Sequence, residues 1–285
     1  MSTVSIRQIP AHEVSEGAGV TVHRTIGTPA LKNFDPFLML DHFGSDDPDE
    51  YIAGFPPHPH RGFITFTYMI DGHMQHKDSM GNTGDLSPGA AQWMRAASGV
   101  IHSEMPKQEQ GLMRGFQLWI NLPASEKMSD PEYQEFAPDA FPSVKSNQAE
   151  VKVLIGNYQH ASGPIIDTDT NIQYLDVQLA ENGQFDFTLN PEHNTFLYIF
   201  EGVALLNGQA VKRHHLLAID KGATDISVST ADSDARFILV SGRPIGESIV
   251  QYGPFVMNSN EEIHQAMADY QNGTLVRKKA NMVTA

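Results

Sequence analysis

Between Phe55 and Glu104 the chain carries two pairs of potential metal ligands, each pair separated by one residue: His58-Pro59-His60 and His102-Ser103-Glu104. In an extended strand, residues i and i+2 project to the same side of the sheet, so each pair can face one interior. For all four side chains to meet, two strands must lie against a common cavity. Three imidazoles and one carboxylate delivered in this way are a donor set for a divalent first-row metal. The remainder of the chain has to build the container.

The surrounding pattern predicts an all-β container. Phe63 to Ile70 alternates, with Ile64, Phe66, Tyr68 and Ile70 on one face and Thr65 and Thr67 on the other, which reads as a half-buried strand. Asp71-Gly72 is a hairpin-type turn, Gly81 to Gly84 a second and Pro88-Gly89 a third. Further strands are expected over 4–26, 34–43, 73–77, at Gln92-Trp93-Met94 and over 115–122. Short strands with glycine turns at such intervals predict a barrel or sandwich rather than βαβ units. Pro59 offers no amide hydrogen to a ladder, which suits an edge strand or a barrel mouth.

Residues 123–149 are rich in Pro, Ser, Asp and Glu and read as a crossing, with a short helical turn expected near Pro131-Glu132-Tyr133. Beyond it the chain weakly repeats itself. Asn190 to Gly202 follows the order of Pro57 to Gly72: a Pro and a His, an apolar strand, then an acidic residue and Gly. His60 has no counterpart there, and nothing near 236–242 matches His-Ser-Glu. The expected division is a metal-binding barrel over residues 1–130 and a second barrel without metal over 131–285. A helix opens at Asn258 to Glu262, where a polar cap and acidic residues suit the exposed N–H groups. Ile263, Ala266, Met267 and Tyr270 form its expected inner face, Asn272-Gly273 ends it, and Lys278 to Ala285 is expected to fray.

Composition narrows the partners. A net charge of −15 argues against direct nucleic-acid binding and against an anionic membrane surface. There are no cysteines, so any metal is held by His, carboxylate or carbonyl groups. No apolar run approaches the roughly 18 residues of a spanning helix, and the first residues lack the apolar core of a secretory signal; the expected location is the cytoplasm. Most of the 13 histidines read as ordinary structural or surface residues. His214 and His215 are adjacent, so a strand would point them to opposite faces. His73 and His76, beside a turn, are expected at the surface.

Many blocks of the chain, in order, resemble the pirin family of the cupin superfamily. They include Phe34-Asp35-Pro36-Phe37, the block His58-Pro59-His60-Arg61-Gly62-Phe63, Gly72-His73 with Asp78, Gln92-Trp93-Met94 and Gly99 to Pro106. Leu118 to Leu122, Lys127-Met128, Tyr133-Gln134 and Tyr252 to Asn258 continue the match. The resemblance implies a bicupin, two jelly-roll β-barrels with a short C-terminal helix and a metal only in the first. It implies His58, His60, His102 and Glu104 as ligands, with Fe(II) the usual metal and other first-row ions as alternatives. It also implies quercetin 2,3-dioxygenase activity: opening of a flavonol ring by O2 with release of CO.

In that reaction Glu104 is the expected catalytic base, by swinging off the metal or through a bound water. Phe66, Tyr68 and Met80 are candidate walls for a small aromatic substrate, though each is equally an ordinary core residue. The alternative reading of the same resemblance is a non-enzymatic metal-binding regulator with a protein partner, a transcription factor or a metabolic enzyme. One departure stands out: pirins usually carry Glu two residues after this Arg-Gly, where this chain has Ile64; the metal is expected to stay in place, with weaker orientation around its ligands or altered proton handling and a loss of catalytic efficiency. His42, where an acidic residue is common, is a smaller one.

Overall fold

Pairing between distant segments decides how the chain divides. A computed structural model describes residues 5–277 and the backbone of Met282–Thr284. One compact unit takes His12–Gly27, Phe37–Pro138 and the chain from Ile245 onward; the other takes the chain up to Ala11, Thr28–Pro36 and Asp139–Pro244. A single cut at residue 130 does not reproduce this. Ile6–Pro10 adds antiparallel to His215–Ile219, which ties the first strand to the second barrel. The helix Asn260–Gln271 belongs with the first barrel, for reasons given below.

The first barrel is a sandwich of two sheets. The larger runs in the order His12–Glu16, Val20–Arg24, Phe37–Ser45, Met113–Asn121, Phe63–Asp71, Ala91–Arg95, Glu132–Phe136 and Met282–Thr284. The smaller runs Phe55–His60, Val100–Pro106, Met74–Asp78 and Thr83–Leu86. Phe55–His60 is an edge strand, as Pro59 requires. Glu132–Phe136 is a strand, not the helical turn expected near Pro131: it pairs Tyr133 with Met94 and so carries the Tyr133 ring inward. Phe63–Asp71 is buried on both faces rather than half-buried. Of the expected C-terminal fray, residues 278–281 and Ala285 lie outside the described residues, while Met282–Thr284 pairs parallel with Tyr133–Glu135.

One end of this barrel is plugged by a cluster containing Phe43, Met69, Met74, Leu86 and Met113. The second barrel is filled with apolar side chains, among them Val153, Leu175, Val177, Leu197, Ile199, Phe237 and Leu239.

Strand Phe55–His60 is anchored through the residue that follows it. Arg61 is 1% exposed; its Nε donates to the Ser98 carbonyl at 2.6 Å and its Nη1 to Asp269 Oδ2 at 2.8 Å. Asp269 sits on the helix, which explains why the buried positions are Ile263, Ala266 and Asp269 while Tyr270 is largely exposed. Ile263 and Ala266 pack with Phe255, Met257 and Leu275. A reciprocal capping box starts the helix, with Ser259 Oγ accepting from Glu262 N and Glu262 Oε2 accepting from Ser259 N. Gly62 turns the chain from the ligand strand into Phe63–Asp71 at φ +92°, and a Cβ there would lie 1.9 Å from the Val256 carbonyl oxygen. Gly62→Ala should therefore combine backbone strain with a clash and destabilise the barrel by about 2–4 kcal/mol in urea unfolding.

Candidate metal centre

Strand Val100–Pro106 is the middle of the site. On one side His102 stands opposite His58 and Val100 opposite His60; on the other, His102 stands opposite Asp78 and Glu104 opposite His76. Directly opposed residues share a face. Alternation therefore puts His58, His60, His76, Asp78, His102 and Glu104 on the inner face of one small sheet. A register shift between His102 and Glu104 keeps the strand paired to Phe55–His60 as it bends.

The donor atoms fall into two overlapping triads. His58, His60 and His102 each offer an atom within 4.8 Å of the others, and so do His76, His102 and Glu104. His102 belongs to both. His58 Nε2 and His60 Nε2 point at each other across 3.0 Å. His102 Nε2 is buried and has no hydrogen-bond partner among the described residues. His76, expected at the surface, is fully buried. Its own sequence context held the signal: His76-Lys77-Asp78 repeats the i, i+2 spacing of the two chosen pairs. His214 and His215 lie in the second barrel's chain, where His214 Nδ1 meets Tyr198 OH and His215 Nδ1 the Arg213 carbonyl.

The opposite sheet grips Glu104. Its Oε1 accepts from Thr67 Oγ1 at 3.0 Å and from the Gln92 amide, and its Oε2 accepts from Gln117 Nε2 at 2.9 Å. Tyr133 OH donates to Gln92 Oε1 at 3.1 Å. Burial, then Glu135 beside it, pushes the Tyr133 phenol above its ordinary pKa, so it stays a donor. Thr67, Gln92, Gln117 and Tyr133 all come from inward positions on strands of the larger sheet. Sequence pattern had marked Gln92 and Tyr133 only as parts of family blocks, and Thr67 only as the minor face of its strand. A Glu104 that swings away breaks these bonds, so the carboxylate is built to stay.

Phe63 and Thr67 face the cluster, with the Phe63 ring 5.0 Å from that of His60. Alternation then turns Ile64, Phe66 and Tyr68 to the other face. Phe66 and Tyr68 are therefore not walls of this cavity, whereas Met80 is, packed with Met94, Val100 and Tyr133. Position 64 does not face the ligands either: Ile64 stands beside Arg95, whose guanidinium pairs with Glu126 at 2.8 Å. The departure at Ile64 thus leaves the donor set untouched. His42 also lies away from the cluster, stacked on Phe116 at 4.8 Å.

Burial, and then neighbouring His58, holds His60 well below the ordinary histidine pKa; burial, and then His60, His58 and His76, does the same to His102. Both rings are neutral at pH 7, the state a metal needs. In the metal-free chain the unfolded state binds these protons more readily than the folded state. Stability should therefore be full above pH about 6.5 and fall as pH drops below it, with a slope approaching about 2.7 kcal/mol per pH unit for two protons. Thermal unfolding of the metal-free protein between pH 8 and 5 checks this, and the slope should shrink in His60→Phe.

A jelly-roll barrel with a buried imidazole and carboxylate cluster on its inner face, followed by a second, apolar barrel, is a bicupin. The family models agree: Pirin matches residues 19–120, and the Pirin C-terminal cupin domain matches residues 174–276. The chain is 44% identical over 272 residues to a Pseudomonas aeruginosa protein provisionally named a quercetin 2,3-dioxygenase, covering 93% of this chain and 95% of that one. It is 38% identical over 268 residues to human pirin, covering 92% and 90%. Among solved structures, one titled quercetin 2,3-dioxygenase from Acinetobacter baumannii superposes with a TM-score of 0.88 at 28% identity, covering 96% of this chain and 99% of that one. The chain belongs to the pirin family. Among the described residues no helix is long and apolar enough to cross a membrane.

Proposed function

We propose that the first barrel holds one divalent first-row metal, Fe(II) foremost, through His58, His60, His102 and Glu104, and that it is an oxidoreductase of the quercetin 2,3-dioxygenase type. The observation that carries the reading is the convergence of three imidazoles within 4.8 Å, one of which keeps a buried, unpartnered Nε2. A buried polar atom left unpaired costs about 1–3 kcal/mol, and a metal removes that cost. The donor set fits an ion that accepts nitrogen and oxygen ligands together.

Bound there, the metal supplies Lewis-acid and redox chemistry between a flavonol and O2. The chain supplies the rest. Glu104, held by Gln92, Gln117 and Thr67, is the residue that would take the proton of the substrate hydroxyl, through a bound water or on release of one of these bonds. Partly exposed His58, Gln117 and Trp119 mark the open end, and Phe63 and Trp119, their rings 4.3 Å apart, offer a flat apolar surface to an aromatic ring. Thr65 Oγ1, buried without a partner among the described residues and on the same face as Phe63 and Thr67, is a hydrogen-bonding group for a polar substituent.

The test is anaerobic reconstitution with Fe(II), Mn(II), Ni(II), Cu(II) or Zn(II), then addition of quercetin and O2. Stoichiometric O2 uptake with CO release is expected with at least one metal and is expected to be lost in Glu104→Gln. Absence of turnover with every metal would leave the regulator that binds a protein partner as the better reading.

A further inference from the structure

His76 lies outside the first triad, yet it is fully buried and sits between Asp78 and His102. Its Nε2 is 3.3 Å from Asp78 Oδ2, and its Nδ1 is 3.4 Å from His102 Nδ1. Asp78 is locked in turn: its Oδ1 accepts from the backbone N–H groups of Met80 (2.9 Å) and Asn82 (3.0 Å), and its Oδ2 from Asn82 Nδ2 at 2.9 Å. Burial pushes the Asp78 carboxyl up, but the bonds from His76 and Asn82 outweigh it and hold it below the usual carboxylate range. Asp78 takes up donors at both oxygens, so a His76 ring with a single proton places that proton on Nε2, toward the carboxylate, and leaves Nδ1 bare. The nitrogen facing that bare Nδ1 has to be the donor. His102 therefore carries its proton on Nδ1 and leaves Nε2, the buried atom without a partner, as a free lone pair.

We propose that His76 is a positioning residue: a relay from the Asp78 turn through His76 sets the tautomer and ring angle of His102, so that its Nε2 is the ligand atom. The proposal rests on the metal-site reading above. It differs from the usual outer partner of a metal-bound histidine, a carboxylate or carbonyl in direct contact, by inserting a second imidazole between the acid and the ligand. It also accounts for the second triad: His76 approaches His102 in order to accept its Nδ1 proton.

Packing offers a competing explanation, because His76 stacks on Tyr133 with ring centroids 4.4 Å apart. Two variants separate the roles. His76→Phe keeps the bulk and the stack but has no acceptor; His76→Gln loses the stack but restores an acceptor oxygen. Zinc(II) affinity of the full chain, measured by competition with a chelator, is expected to fall about 10–100-fold in His76→Phe and to stay within a few-fold of wild type in His76→Gln. Long-range proton–nitrogen NMR of the histidine rings in the metal-free wild type is expected to show His102 protonated at Nδ1 and His76 at Nε2. Wild-type affinity in His76→Phe, an equal loss in both variants, or His102 protonated at Nε2 would each overturn the relay. Failure of wild type itself to bind zinc(II) would instead strike the metal-site reading, and the NMR result would still decide the tautomer.

Discussion

Replacing His102 by alanine should lower metal affinity by more than about 100-fold, beyond the 10–100-fold range that loss of an outer partner costs. The reason is its place in the register. His102 is the residue common to both donor triads and the central-strand member of the site, opposite His58 on one side and Asp78 on the other. In the proposed site His58 is partly exposed, whereas His102 is buried. Metal content after dialysis against a weak chelator, read by elemental analysis, should rank wild type above His58→Ala and His58→Ala above His102→Ala. His215→Ala, in the second barrel, should retain as much metal as wild type. Acid should release the metal from wild type as well, because each imidazole must shed a proton to bind.

The largest expected loss of stability without touching a ligand comes from Asp269→Ala. Arg61 is buried at 1% exposure, and Asp269 is its carboxylate partner, also held by Gln265 Nε2 at 2.8 Å and Arg277 Nη2 at 2.9 Å. Truncation strands a buried guanidinium, which costs about 3–5 kcal/mol. Burial would raise the Asp269 pKa, but the hydrogen bonds from Arg61, Gln265 and Arg277 prevail and hold it at about 2. The stabilisation is therefore present above the ordinary carboxylate pKa of about 3.9 and is lost only as pH falls toward 2. Urea unfolding at pH 7 should show the full deficit and at pH 2.5 a smaller one. Because Arg61 follows His60 directly, the same variant should also weaken metal binding. The double variant Arg61→Met, Asp269→Leu should recover much of the stability.

How far these features could be read from the residues alone depended on whether one local rule covered them. The i, i+2 rule selects His58, His60, His102 and Glu104; the structure gathers His58, His60 and His102 into one triad and Glu104 with His102 and His76 into another. Applied once more it would have found His76 and Asp78; the nearby turn instead suggested the surface, but burial there is imposed by pairing with a strand 28 residues away in sequence, at Glu104↔His76 and its neighbours. Alternation in Phe63–Ile70 was correct, yet the inward face is the one with the threonines. Hydrophobicity is a poor guide when both faces are covered, and here the polar face is the one that meets the carboxylate. The bounds of the helix were legible because their signals are local, Ser259, Glu262 and Gly273, but its inner face was not: Asp269, not Tyr270, is buried. The exchange of segments between the units was not legible either, since it rests on long-range pairings such as Ile6↔Ile219 and Arg61 with Asp269.

The most direct test is a crystal of the protein soaked with zinc(II) or nickel(II) and measured at the metal's absorption edge. The expected result is a single strong anomalous peak in the first barrel, about 2.0–2.2 Å from His58, His60 and His102 nitrogens and a Glu104 oxygen. No peak at that position, or one held by other residues, would contradict the site on which the proposed chemistry depends.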